Sequence, residues 1–88
     1  MKPKAGLLLR EIDNTSIVVA TGAVISEFSG LITLNQTGTF LWRCLEKGAT
    51  EDDLVQSLIS EYEISEEIAR SDVRAFIARA EEAGLLED

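Results

Sequence analysis

Residues 28–42, FSGLITLNQTGTFLW, carry no charged side chain, in a chain where 27% of residues are charged. Within them an apolar, partly β-branched run, LITL at 31–34, leads directly into a run with helical character. Asn35 stands between the two, where a helix N-cap belongs. A strand that feeds straight into the start of a helix, with no charge through the junction, has to share one core with it. That restricts the chain to folds in which a small sheet packs against helices, and it raises the question of what covers the faces and the edge of the strand.

The flanking sequence extends this pattern in both directions. LLLREI (7–12) and SIVVAT (16–21) are rich in leucine, isoleucine and valine, and DNTS between them supplies the turn-forming Asp13 and Asn14. Together they predict a hairpin. The segment 22–30, GAVISEFSG, is bracketed by glycines and fits a short extra strand or a structured loop equally well.

Beyond Asn35 the periodicity is helical. Gly38, Leu41 and Leu45 share one face with Cys44 beside them, and Gly48 after Lys47 suits a left-handed helix end. Thr50 and Asp53 have capping-box spacing, followed by Leu54, Val55, Leu58, Ile59 and Tyr62 on one stripe. Ser65 caps a third helix, with Glu66 and Glu67 in its first turn and Ile68, Ala69, Val73, Phe76, Ile77 and Ala80 as its apolar stripe. Gly84 ends it, and Leu85 and Leu86 are expected to fold back over the core. The helices should run about 12, 12 and 18 residues. Strands followed by helices predict an α+β fold, a three-stranded antiparallel sheet followed by three helices. Residues 1–6 read as a flexible N-terminus and 7–88 as a single domain.

Composition removes several classes of function. An 88-residue chain holds one domain. It has no histidine, and so lacks the commonest general base and metal ligand. Its single cysteine, Cys44, forms no intrachain disulfide and, on a helix's apolar face, reads as a small hydrophobe. No phosphate-binding glycine loop with its lysine is present, and the acidic clusters lack calcium-loop spacing. No enzyme activity, metal or cofactor is therefore expected. No apolar run is long enough to cross a bilayer, and the interrupted start lacks the pattern of a signal peptide, so a cytoplasmic protein is expected. The net charge of −8 opposes nucleic acid binding at long range.

The strand edge remains. An apolar edge without charge or proline invites pairing. It can be covered within the chain, by a second copy in a self-associating homodimer, or by an extended peptide joining through main-chain hydrogen bonds. A winged helix-turn-helix regulator of DNA is the rival from another class. Its recognition helix here would hold Arg70, Arg74 and Arg79 against Glu66, Glu67, Asp72, Glu81 and Glu82, with the acidic end leading.

GLITLNQTGTFLW, then GAT, then LVQSLISEYEISEEIARSDVRAFIARAEEAGLL resembles the PqqD-like family. These are the accessory proteins of pyrroloquinoline quinone biosynthesis and the related RiPP recognition elements of ribosomally made, modified peptides. The likeness rests on the order and spacing of Leu34-Asn35, Thr37-Gly38, Leu41-Trp42, Asp72-Val73, Phe76-Ile77 and Gly84-Leu85-Leu86. It implies a winged helix-turn-helix-like, non-catalytic, peptide-binding domain. Such a domain holds the leader part of a precursor peptide as an added strand and presents it to a modifying enzyme, most often a radical S-adenosylmethionine enzyme.

Carried onto this chain, the resemblance makes Leu31, Ile32, Thr33 and Leu34 the docking strand. It makes Arg70, Arg74, Ile77 and Glu81, one flank of the third helix, the groove wall. Arg70 and Arg74 would meet leader carboxylates, Ile77 would floor an apolar pocket, and Val73 and Phe76 would point into the core. The segment 22–30 departs from the shorter link expected in this family, and folded across the third strand it would block the docking edge.

Overall fold

The structure is a computed structural model, and it describes residues 1–13, 15–20 and 32–87. The elements run β1 (Lys2–Pro3), β2 (Leu7–Ile12), β3 (Thr15–Ala20), β4 (Thr33–Leu34), α1 (Gln36–Glu46), α2 (Glu51–Tyr62), α3 (Glu66–Glu82) and β5 (Leu86–Glu87). The strands β2, β3 and β4 form an antiparallel sheet in that order, so the expected architecture of a three-stranded sheet with three helices holds. The hairpin β2–β3 pairs Leu7 with Ala20 through to Ile12 with Thr15. Of the third strand expected at 31–34, the described residues are 32–34. Ladder pairing covers Thr33 and Leu34, and Ile32 is tied in by its carbonyl, which accepts from the Val18 N–H at 3.0 Å. Leu31 and the segment 22–30 lie outside the described residues.

Each helix starts where a side chain can satisfy its orphan amides. Asn35 Oδ1 accepts from the Gly38 N–H at 2.8 Å. Thr50 and Asp53 form the full capping box, each side chain accepting from the other's backbone N–H, at 3.1 and 3.0 Å. Ser65 Oγ accepts from the Ile68 N–H at 3.2 Å. Acidic residues fill the first turns of α2 and α3, opposite the positive end of the helix dipole.

The end of α3 redirects the chain. Gly84 has φ +73°. Its N–H donates to Glu81 O, and the Leu85 N–H donates to Ala80 O, both at 2.9 Å. This is the Schellman arrangement, and it turns Leu85 into the core, where it is 2% exposed. The next residues, Leu86 and Glu87, pair antiparallel with Pro3 and Lys2. The N-terminal segment expected to be flexible over residues 1–6 is thus given partners: this short ladder, a bond from the Lys4 N–H to Leu85 O at 2.9 Å, and one from the Ala49 N–H to Met1 O at 3.1 Å.

The core lies between the sheet and the helices. Val18, Ile32 and Leu34 from the strands meet Leu41, Trp42 and Leu45 of α1, Leu54, Val55 and Leu58 of α2, and Ala69, Val73, Phe76 and Ala80 of α3. Phe40 and Tyr62 stack edge-to-face at 5.8 Å between α1 and α2. Ser16 is the one buried polar residue among those described. Its hydroxyl bonds Thr39 Oγ1 at 2.8 Å, and Thr39 Oγ1 also bonds the Asn35 carbonyl at 2.9 Å. A carbonyl only accepts, so the Thr39 proton goes to Asn35 and Ser16 donates its own to Thr39. This relay ties β3 to the first turn of α1, beside β4.

Candidate functional site

The strand β4 is one margin of the sheet, and no described strand pairs with its outer side. Which backbone groups face outward follows from the register. In an antiparallel pair, positions that exchange hydrogen bonds alternate with positions that do not. Val18 and Ile32 are bonded, so Ser16–Leu34 is the next bonded pair and Ile17–Thr33 lies between them. Thr33 therefore directs both its N–H and its C=O away from β3, toward the open side. Its side chain is exposed, whereas Ile32 and Leu34 are 9% and 2% exposed and point into the core. The strand thus has a packed face and a margin unpaired among the described residues.

Across from that margin stands α3, and between them is a groove of about 490 Å³. Ile32, Thr33 and Leu34 line it from the sheet. Asn35, Thr37, Gly38 and Leu41 line it from the start of α1, and Asp72, Ala75, Phe76 and Arg79 from α3. Its floor is apolar, through Ile32, Leu34, Leu41 and Phe76, and its rim is polar. Gly38 allows α1 to start this close to the strand. A Cβ there would stand 3.2 Å from Leu34 Cβ and 3.3 Å from Asn35 Oδ1.

The residues expected at the site divide between two places. Ile32, Thr33 and Leu34 line the groove, and Leu31 lies outside the described residues. Arg70, Arg74, Ile77 and Glu81 are not among the lining residues; they occupy the other side of the α3 core stripe. Arg70 donates to Glu51 at 2.8 Å and to Asp52 at 3.0 Å, and lies 3.5 Å from Glu66. Arg74 Nε donates to Glu51 at 3.2 Å. Ile77 is half-buried against the core, and Glu81 is exposed. The acidic first turn of α2 therefore draws both arginines toward it. Hydrogen bonds from Arg70 to Asp52 and then Glu51 hold its pKa above the ordinary arginine value.

Sequence reasoning did not single out Ala75 or Arg79 as groove residues, and it assigned Phe76 to the core alone. The two flanks of α3 have the same helical spacing, so periodicity cannot separate them. The acids at the start of α2 were the available signal, because they account for Arg70 and Arg74 and leave Arg79 over. Among the described residues Arg79 has no carboxylate partner.

With a sheet margin, an apolar-floored groove and a helix wall, the domain has the geometry of a peptide-holding module. A family model, coenzyme PQQ synthesis protein D (PqqD), matches residues 21–86, and the chain belongs to this family. Two solved structures share the fold. One, described as TbiB1 in complex with the TbiA(beta) leader peptide, is 22% identical with a TM-score of 0.80, covering 99% of this chain and 95% of that one. The other, lasso peptide synthetase B1 complexed with the leader peptide, is 21% identical with a TM-score of 0.75, covering 99% and 96%. A search of curated protein sequences gives no match.

Proposed function

We propose that this protein is a non-catalytic adaptor, a RiPP recognition element. It captures the leader region of a ribosomally made precursor peptide and presents it to a separate modifying enzyme. The observation that carries the reading is the outward-facing backbone of Thr33, unpaired among the described residues and beside an apolar groove. An extended peptide laid there gains main-chain hydrogen bonds of about 1 kcal/mol net each, and one or two buried apolar anchors of about 1.5–3 kcal/mol each. Ordering the peptide offsets several kcal/mol of this, which leaves micromolar to nanomolar affinity. Membership of the PqqD family supports the reading, as do the leader peptides bound to the two structural neighbours.

The proposed docking residues are Ile32, Thr33 and Leu34 with Leu31 preceding them, joined by Asp72, Ala75, Phe76 and Arg79 as the helix wall. The proposal leaves Arg70, Arg74, Ile77 and Glu81 out of the contact, because Glu51 holds both arginines on the other flank. A radical S-adenosylmethionine enzyme in the cytoplasm is the proposed partner class, with the adaptor raising the local substrate concentration. DNA binding is not favoured. The helix that would enter the groove of DNA carries more acids than arginines, and two of those arginines are held by α2.

The test uses short linear peptides selected from a randomised library for binding to the protein. Bound peptides should shift the NMR amide signals of Ile32, Thr33 and Leu34. Thr33→Pro removes the outward N–H without touching a bond to β3, and should weaken binding about tenfold or more with little change in the urea midpoint. Peptides that bind without disturbing these amides, and that bind Thr33→Pro unchanged, would sink the proposal.

A further inference from the structure

On the groove side of α3 four residues follow one another at helical spacing: Ile68, Asp72, Ala75 and Arg79. Three of them line the groove, and the fourth, Ile68, continues the row by one turn. Ile68 is 54% exposed, the largest exposure of any big apolar side chain among the described residues. At the other end Arg79 is exposed and has no carboxylate partner among the described residues. The other two arginines of the helix are both held by Glu51. Between the ends, Asp72 presents a negative charge, and Ala75 leaves room for a backbone to approach the helix.

Resting on the peptide reading above, we infer that the occupant of this groove is an extended segment with two marks. It has an acidic side chain opposite Arg79 and an apolar side chain against Ile68. From Ile68 to Arg79 the helix rises about 16 Å, which a strand covers in about five residues. Side chains on one face of a strand repeat every second residue, so the two marks stand about four or six residues apart. Asp72 repels a carboxylate placed midway, so the acid is confined to one end and the segment is oriented as well as held. The chain's net charge of −8 disfavours acidic peptides in general, which makes a local preference for acid at Arg79 diagnostic.

Arg79 lies in the last turn of α3, where a cation also suits the negative end of the helix dipole. A purely structural role would change stability slightly and leave peptide choice alone. The experiment therefore reads peptide choice. Randomised linear peptides displayed on phage are selected in parallel on the wild-type protein and on Arg79→Glu, with folding checked by circular dichroism.

Wild-type selections should share Asp or Glu at one fixed position and an apolar residue at the stated spacing. Arg79→Glu should select Lys or Arg at that position. The wild-type consensus peptide should bind Arg79→Glu about tenfold more weakly, with binding restored by the charge-swapped peptide. Ile68→Ser should weaken the consensus peptide about fivefold. Peptides that shift the Thr33 amide but show no acidic preference, or bind Arg79→Glu equally well, overturn this inference and leave the peptide-capture reading standing. Failure to recover any peptide that shifts Thr33 overturns both.

Discussion

The two flanks of α3 face opposite electrostatic situations. On one, Arg70 and Arg74 meet Glu51, with Asp52 and Glu66 adding to the first of them, so the charges of α2 and α3 satisfy one another. On the other, Arg79 has no carboxylate among the described residues, Ile68 is exposed, and the facing strand directs Thr33's backbone outward. Both flanks carry arginine, two on the first and one on the second. What separates them is the neighbouring element. A capped, acid-rich helix start closes one side, and on the other no described residue offers Arg79 a carboxylate. A cation count therefore says little about where a helix recognises a ligand, and the surplus after internal pairing says more.

The largest expected effect breaks the separation between groove and core. Phe76 belongs to both, at 9% exposure with its side chain on the groove floor. Phe76→Ala should lower stability by about 3–5 kcal/mol, read from urea denaturation, and abolish peptide binding at the same time. Binding that survives would mean the pocket floor contributes nothing to recognition.

Gly38→Ala comes next. The added Cβ would sit 3.2 Å from Leu34 Cβ, so either β4 or the start of α1 must shift. Overpacking of about 1–3 kcal/mol is partly offset by alanine's better helix propensity of about 1 kcal/mol. A net loss of about 1 kcal/mol is expected in the urea midpoint, with weaker peptide binding because the docking margin moves. An unchanged midpoint would show that Leu34 yields freely.

The smallest change is expected on the closed flank. Arg70→Met should lower the urea midpoint modestly, and the difference should shrink as salt is added. Its raised pKa fixes the sign of any pH effect. The contribution is complete below the ordinary arginine value and is lost only as pH rises through the higher folded one. Alkaline titration across the neutral range should thus leave the Arg70 contribution intact. Peptide affinity should stay within about twofold, in contrast to Arg79→Glu. An equal loss for both variants would erase the distinction between the flanks.

Much of this architecture was legible in the residues because its determinants are local. Asn35, Thr50 with Asp53, and Ser65 announce the helix starts within four residues of where they act, and Gly84 announces the end of α3. The ladder of Lys2–Pro3 with Leu86–Glu87 was not legible. Two-residue strands carry no periodicity, and their partners stand at opposite ends of the sequence. The apolar, uncharged run marked 31–34 as a strand edge needing cover, and the resemblance proposed it for docking, but the proposed wall opposite it could not be read. Choosing between the flanks of α3 requires knowing where α2 begins in space, and helical spacing alone is symmetric about the core stripe.

Asn35 both follows the last paired residue of β4 and caps α1. Sliding the strand by one position would pull that cap off the helix and turn Ile32 and Leu34 out of the interior together. On the proposed reading, the strand that docks the peptide is consequently keyed to the helix behind it and meets its ligand already set. Nearly all of the adjustment then falls to the incoming chain, so variation among ligands should appear in how readily each straightens rather than in how the protein deforms.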